Sequence, residues 1–556
     1  MQKTSPAQLS KLQPDLIKLV KLLQEDLRQR CDEVEEVNAP LLAEYAQAQQ
    51  AQRTQETFQA WRENYLNQVA VAWVLACVFV RYLEDYDLIE ECWLAGVGAR
   101  KAEASERYLA FFRAHPEWSD REFFHDIFDQ VARLPGCHDL FGRDRNPLWK
   151  VGISGDGAKK LREFFAEVDP SSGDLLRTFV KPVAWGQGQW GEGSWGESRL
   201  LGALYQNLSE AAQKTYAMLQ TPDFVEEFIL DRTLDPALAE FGLEHVKIID
   251  PTCGSGHFLL GAFARLLKAW QAKSNDNVRV LARRALEAVH GVDINPFAVA
   301  IARFRLVIAF VQSCGFPRLR DMPDVKIHVA TGDSLLHANT LCSARGWGVQ
   351  ELSDWLPEAF ATGDFEDASA ILSKRYEAVV GNPPYITVRD KAQGNEVRSR
   401  YKTAYMKYSL AVPFKEKFWD LAVEAKGTQR AGFIGMITAN SFMKREFGSR
   451  LIEEFFPRVD LTHVLDTSGA YIPGHGTPTV ILFGRNRSPV LPTVRAVLGI
   501  RGEPSTPAEP AQGLVWRSIV DLVDQPGAQS AFVSVTEFDR GTFGKHPWSI
   551  GGGGAS

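Results

Sequence analysis

The most chemically suggestive stretch of this sequence is AVVGNPPYI, residues 378–386. An apolar, strand-like run leads directly into Asn382, Pro383, Pro384 and Tyr385. Consecutive prolines fix the backbone and remove N–H donors, so carbonyls there can point at a ligand. The Asn382 side-chain oxygen and the Pro383 carbonyl form a pair of acceptors, which suits a planar –NH2 group with two protons to donate. Tyr385 adds an aromatic face on which a planar substrate can stack. A Pro-Pro pair alone can also be a plain turn, but three elements of nucleoside-binding type precede this one.

The first of these is VKIIDPTCGSGHF, residues 246–258. A strand ends at Asp250, and a loop of small residues opens a helix near Phe258. Gly254 and Gly256 let the backbone approach a ligand closely, and the helix N-terminus offers N–H groups to a carboxylate or phosphate. The loop lacks G-x-G-x-x-G and no G-K-[ST] follows, which disfavours NAD and nucleoside triphosphates. The second element, GVDINP (291–296), ends a strand at Asp293. An acid there can accept from both hydroxyls of a ribose, or it can simply cap the next helix. The third, TGDSLL (331–336), ends a strand at Asp333, whose carboxylate can take an adenine amino group or, again, serve as a cap.

These residues need a scaffold that brings strand ends together. From about residue 200, strand-like runs alternate with helical ones: 246–250, 288–294, 325–330, 376–381 and 432–438. Such alternation predicts a parallel, doubly wound α/β sheet, with ligands at the carboxyl ends of its strands. THVLD (462–466) and TVILF (479–483) read as a terminal antiparallel pair. The region before this is helical: Leu16, Leu19, Val20, Leu23 and Leu27 form one apolar stripe. The run VAVAWVLACVFV (69–80) is too short to span a bilayer and reads as a buried helix. The acids that follow, Glu84, Asp85, Asp87, Glu90 and Glu91, read as a solvated helix end. Residues 185–200 are a Gly/Trp-rich linker with Trp-Gly pairs at Trp185, Trp190 and Trp195. The expected organisation is a helical region over 1–184, the linker 185–200, an α/β domain over 201–485, and an irregular tail or truncated C-terminal region over 486–556.

Composition narrows the function classes. The 556 residues are 45% hydrophobic and 24% charged, with a net charge of −7. A mildly acidic chain can bind nucleic acid only through a local basic patch. One candidate follows the Asn-Pro-Pro-Tyr segment. Residues 386–417 hold eight Lys or Arg against three acids, with tyrosines interleaved. Arg389, Lys391, Arg398, Arg400, Lys402 and Lys407 are its candidate phosphate contacts, and Lys415 and Lys417 complete the count. The seven cysteines are widely spaced without a C-x-x-C, so neither a disulfide framework nor a zinc ribbon is indicated. The N-terminus lacks the apolar core of a signal peptide, and a reducing cytoplasm is the simplest location.

Taken together, D-P-x-x-G-x-G, the acidic strand end, G-D-S and N-P-P-Y resemble the class I AdoMet-dependent amino-methyltransferases. Their order is similar to that of adenine-N6 DNA methyltransferases of the gamma arrangement. TPDFVEEFI (221–229) resembles the family's T-P-x-x-[VI] element. The stretch LLGALYQNLSEAAQKTYAMLQTPDFVEEFILDRTLDPAL and the tail HPWSIGGGGA resemble one subgroup, the BREX (phage growth limitation, PglX-type) adenine-specific DNA methyltransferases. The resemblance implies a Rossmann-like, mostly parallel seven-stranded sheet with a terminal antiparallel hairpin. It implies S-adenosyl-L-methionine as cofactor, with Thr221, Asp250, Thr252, Gly254 and Gly256 at its methionine moiety. Asp293 would hold the ribose, and Asp333 and Ser334 the adenine. Asn382, Pro383, Pro384 and Tyr385 would hold the target base, with Ser441 and Phe442 beside it. Family members are longer, so the chain is expected to be an N-terminal portion.

The implied reaction suits these residues. A sulfonium methyl is already electrophilic, so no metal is expected to be needed. The N6 lone pair is delocalised into the ring, and two acceptors gripping its protons favour a more nucleophilic, pyramidal nitrogen. The target atom is inaccessible inside a duplex, so the partner is double-stranded DNA with the adenine flipped out. Other phage-defence proteins are possible partners, and no membrane is expected. Two other readings stay open: an AdoMet-binding scaffold inactive on its own, and an amino-methyltransferase acting on RNA or protein glutamine.

Overall fold

The computed structural model describes residues 6–50, 54, 56–179, 221–336, 364–388, 391–425, 430–474 and 476–548. The linker 185–200 and Cys342 lie outside them. The N-terminal region is helical, as its apolar stripe requires: α1 (Pro6–Glu33), α2 (Glu35–Gln50), α3 (Phe58–Asp85), α4 (Arg100–Ala114), α5 (Asp120–Ala132), α6 (His138–Phe141) and α7 (Gly155–Ala166). Thr57 caps α3 by accepting the Ala60 N–H at 3.3 Å, and every residue of α3 from Val69 to Asp85 is buried. The apolar run is therefore a core helix.

Of the five acids read as a solvated helix end, Glu84 and Asp85 are buried, contrary to that reading, whereas Asp87 and Glu91 are partly exposed and Glu90 is exposed. The Glu84 carboxylate accepts the N–H groups of Trp93 and Leu94 (both 2.7 Å), Ala95 (3.2 Å) and Gly96 (3.3 Å), and pairs with Arg81 at 2.9 Å. Asp85 pairs with Arg81 at 2.8 Å and accepts the Phe179 N–H at 2.8 Å. Converging buried N–H groups require an acceptor, and a carboxylate supplies several lone pairs at once. These acids tie a loop down rather than face water.

The second region alternates as predicted: α8 (Asp223–Asp231), α9 (Leu234–Phe241), β1 (Ile248–Asp250), α10 (His257–Lys273), α11 (Val278–Glu287), β2 (Val289–Asp293), α12 (Pro296–Cys314), β3 (His328–Thr331), α13 (Asp364–Leu372), β4 (Ala378–Gly381), α14 (Lys391–Arg400), α15 (Ala411–Leu421), β5 (Phe433–Ala439), β6 (Asp460–Asp466) and β7 (Thr479–Arg485). Beyond them lie β8 (Thr493–Gly499), α16 (Leu514–Leu522), β9 (Val533–Asp539) and α17 (Arg540–Phe543). Two corrections follow. The sheet has nine strands, in the order β3-β2-β1-β4-β5-β7-β6-β8-β9, not seven. Between Arg485 and Trp548 the chain is not an irregular tail, since β8 joins β6 in parallel and β9 joins β8 antiparallel. Strands β1 to β5 are parallel, and β7 runs antiparallel between β5 and β6, as the hairpin expectation required.

The helical region is fastened to the α/β region through α12. Asn295 caps this helix by accepting the Phe297 N–H at 3.0 Å. Phe79 of α3 stacks on Phe304 at 4.4 Å between centroids. Beside them, buried Asp364 receives Arg303 at 2.8 Å, Arg145 at 2.6 Å and the Thr331 N–H at 3.1 Å. Burial pushes its carboxyl up, but the two guanidinium groups outweigh this and hold it below the usual range. By length and hydropathy α3 and α12 are each apolar enough to cross a membrane, yet 89% and 83% of those stretches are buried inside the protein. The six cysteines among the described residues are buried and free.

Candidate active site

The parallel strands deliver their loops to one edge of the sheet. Along that edge stand Asp333 after β3, Asp293 closing β2, Asp250 closing β1, and Asn382 after β4. The order reverses between β1 and β4, so the crevice between them is the switch point where a ligand fits. Gly381 shows how close these two strand ends are. A Cβ there would stand 2.5 Å from Asp250 Oδ1 and 2.8 Å from Thr252 Oγ1.

Backbone donors fix the acids. Asp250 Oδ1 accepts the Thr252 N–H at 2.9 Å and the Thr252 hydroxyl at 3.1 Å. Asp293 accepts the Gly254 N–H on Oδ2 and the Asn295 N–H on Oδ1, both at 2.9 Å. Gly254 adopts a left-handed φ of 50°, and a Cβ on it would enter open space. Asp333 Oδ1 accepts from Leu335 at 2.9 Å and Leu336 at 3.1 Å, so the cap geometry is present. Ser334 donates to the Pro251 carbonyl at 2.6 Å and joins the β3 loop to the β1 loop. Among the described residues none of the three acids pairs with a Lys or Arg. Burial pushes Asp250 up to about 8, and raises Asp293 and Asp333 as well. Carboxyls that make no salt bridge among the described residues are an acceptor set for a ligand with positive charge, hydroxyls and amino protons.

Thr221 is buried just before α8, outside this bonded network. Helix α8 reaches the site by packing on α10, where Glu226 occupies the space a Cβ on Gly261 would need. At the β4 end, the Tyr385 hydroxyl donates to Asn382 Oδ1 at 2.7 Å. The amide oxygen can therefore meet an amino group only by sharing with, or releasing, that hydroxyl. Pro383 is buried and Pro384 partly so.

The basic segment divides into three groups. Arg389 and the Lys391 side chain lie outside the described residues. Lys402 and Lys407 are exposed, as is Arg398, which donates to Asn395 at 3.0 Å and to the Met406 carbonyl at 2.9 Å. Arg400 is tied to Glu396 at 2.7 Å and to the Leu336 carbonyl, and is not an open cation. Lys415 and Lys417 are buried, which corrects their place in the surface count. Lys415 Nζ donates to the Ala411 carbonyl at 2.9 Å and to Thr438 at 3.1 Å, and sits 4.3 Å from the Phe442 ring centroid. Burial pushes its pKa well below the ordinary lysine value.

Three features escaped the sequence reading. Helix α14 folds over the Asp333 turn: the Gln393 side chain bonds Asp333, and Tyr401 donates to the Leu335 carbonyl at 2.9 Å. Lys444 and Arg445, exposed after β5, add positive charge beyond the segment already named. Trp548 packs from the C-terminal side: its backbone N–H donates to the Met443 carbonyl at 2.8 Å, its indole N–H donates to the Phe543 carbonyl at 3.0 Å, and its ring stacks on Phe456. Phe442 is accordingly walled in by Phe456, Trp548 and Lys415, and Ser441 stands partly exposed beside it. Only the composition of HPW hints at a docked aromatic; the partners are remote in sequence.

Residues 287–471 match the family described as Eco57I restriction-modification methylase. The adenine-specific methyltransferase PglX of Streptomyces coelicolor is 46% identical over 97% of this chain and 45% of its own length. The type II methyltransferase M.PaeR7I of Pseudomonas aeruginosa is 25% identical over 62% of this chain and 51% of its own. The chain thus spans about half the length of these curated relatives. Among solved structures, the DrdV–DNA complex matches with a TM-score of 0.55 at 13% identity, covering 96% of this chain and 45% of that one. The type ISP restriction-modification enzyme LlaBIII bound to DNA matches with a TM-score of 0.50 at 14% identity, covering 87% and 30%. Those two likenesses establish the fold.

Proposed function

We propose that the chain, similar to the adenine-specific methyltransferase PglX and matching the Eco57I methylase family over 287–471, transfers a methyl group from S-adenosyl-L-methionine to the N6 amino group of adenine in DNA. The observation that carries this reading is the meeting of the Asn382–Tyr385 corner with the Asp250 loop across the switch point, with Gly381 leaving no room for a side chain between them.

The three acids, which make no salt bridge among the described residues, and the open face at Gly254 fit the cofactor. Asp250, Thr252, Gly254 and Gly256 would hold its methionine end with Thr221 flanking. Asp293 would take the ribose, and Asp333 with Ser334 the adenine. When bound, the cofactor supplies an electrophilic sulfonium methyl. Asn382 Oδ1 and the Pro383 carbonyl grip the two N6 protons and stabilise the charge that grows on nitrogen. Pro384 stiffens the corner, and Tyr385 offers its ring to the extruded base, offsetting lost stacking of order 1–3 kcal/mol. Lys402, Lys407 and Arg398 face the phosphates, and Arg389 and Lys391 remain candidate phosphate contacts by their place in the sequence. Residues 201–485 form the transfer unit, the helical region 1–184 supports it, and β8 and β9 continue its sheet. A role in marking host DNA for phage defence, with cytoplasmic location and further defence proteins as partners, follows from the same kinship.

Incubation with methyl-labelled cofactor and unmethylated DNA, RNA or protein tests the reading. Label should appear in DNA as N6-methyladenine. Label confined to RNA guanine or to protein glutamine contradicts it.

A further inference from the structure

Met406 is out of place by ordinary rules. Among the described residues only two that are not glycine have left-handed φ, Asp87 at 52° and Met406 at 53°. Asp tolerates that conformation through its short polar side chain, whereas Met gains nothing from it. The Met406 side chain is also 54% exposed, beside the exposed cations Lys402 and Lys407.

The turn that strains Met406 is held from several sides. Arg398 donates to its carbonyl at 2.9 Å. The preceding ring, Tyr405, lies under the Arg450 guanidinium at 4.3 Å. Two residues on, buried Tyr408 donates to the Gly394 carbonyl at 3.0 Å. Ser409 then bridges Thr387, and the Leu410 N–H donates to the Ile386 carbonyl at 2.8 Å. The turn is thereby anchored to the chain immediately after Tyr385. An exposed apolar tip thus stands on a turn that pairs back to the chain just after the Asn382–Tyr385 corner, with the exposed Lys402 and Lys407 close in sequence. Strain of this kind persists where surrounding contacts over-determine it, and it gathers at functional sites.

Resting on the proposed reading as a DNA adenine methyltransferase, we propose that Met406 is a wedge that enters the base stack of duplex DNA where the target nucleotide leaves it. Apolar side chains, Met among them, insert between base steps and partly unstack them. Flipping opens such a gap, and an unbranched, polarisable side chain adapts to its irregular walls. Lys402 and Lys407 supply the phosphate contacts on either side that hold the duplex against the tip.

The test uses the intact protein with Met406→Gly, which keeps the left-handed backbone and removes the side chain, Met406→Ala, and Met406→Leu. Methyl transfer is measured on duplex and on single-stranded DNA. Permanganate oxidation reads unstacked thymines in duplex bound with S-adenosylhomocysteine. The wedge predicts that the Gly and Ala variants lose about tenfold or more on duplex, together with the permanganate signal, while single-stranded transfer stays within about twofold. Met406→Leu should retain most of both. Duplex transfer and thymine reactivity unchanged in the Gly and Ala variants overturn the proposal, and so does an equal loss on both substrates, which marks a structural role. A wild-type protein that methylates neither DNA removes the functional reading itself, and the wedge with it.

Discussion

Replacing Asp250 with Asn should take a pH dependence out of cofactor binding. Burial pushes the Asp250 carboxyl up to about 8, the Thr252 N–H and hydroxyl oppose that rise, and the charge of Asp293 adds to it. At pH 7 the group therefore holds a proton. A ligand carrying sulfonium and ammonium charge favours the carboxylate and expels that proton. The ionised form binds, so affinity climbs with pH until about 8 and flattens above. For one such group the fold difference between pH 6 and pH 8 approaches about fiftyfold, since each pKa unit is tenfold. Without ligand the sign reverses: a carboxyl whose folded pKa is raised loses stability as pH rises from its unfolded value through about 8. Calorimetric titration with S-adenosyl-L-methionine at pH 6, 7 and 8, in buffers of different ionisation enthalpy, reads both affinity and proton release. The ratio of wild-type to Asp250→Asn affinity cancels the ligand's own amino titration. That ratio should rise steeply from pH 6 to pH 8. A ratio that does not change with pH, or proton release equal in both proteins, refutes the reasoning.

Three more perturbations probe separate links. Gly381→Ala drives a Cβ to 2.5 Å from Asp250 Oδ1; it should abolish detectable cofactor binding at a stability cost of about 1–3 kcal/mol, read by calorimetry and thermal melts, and normal binding would contradict the close approach of β1 and β4. Asp364→Ala leaves buried Arg303 without its carboxylate partner, while Arg145 keeps Asp367 at 3.0 Å; denaturant unfolding should show about 3–5 kcal/mol lost, and a loss under 1 kcal/mol would mean the helical and α/β regions are not fastened there. Lys402→Ala with Lys407→Ala should lower the slope of log affinity for duplex DNA against log salt by about 1.8, while Lys415→Met leaves that slope unchanged; the opposite pattern would place the DNA elsewhere.

The parts of this molecule that were legible in its sequence are those whose cause is local. Asp250 and Asp293 end apolar runs and close β1 and β2 as chain order implies, while Asp333 stands two residues beyond the end of β3 rather than at it. The Asn382–Tyr385 corner is stiff by composition. What stayed hidden depends on remote partners. Glu84 looks like any acid at a helix end until the N–H groups of 93–96 are folded onto it. Lys415 and Lys417 read as surface charge, yet α15 turns them inward. Strands β8 and β9 lie among Gly- and Pro-rich residues whose turn signals mask the pairing of Thr493–Gly499 with Val533–Asp539. The cover that α14 places over Asp333 rests on one amide, Gln393, which no spacing rule singles out.

In the proposed reaction, two acceptors at a proline-stiffened corner hold an extruded adenine in line with the cofactor. Methyl transfer to unmethylated DNA by wild-type protein and by Asn382→Ala, with cofactor affinity measured in parallel, tests it most directly. Transfer should fall by about two orders of magnitude or more while cofactor affinity stays within about threefold. Equal transfer rates in the two proteins would contradict it.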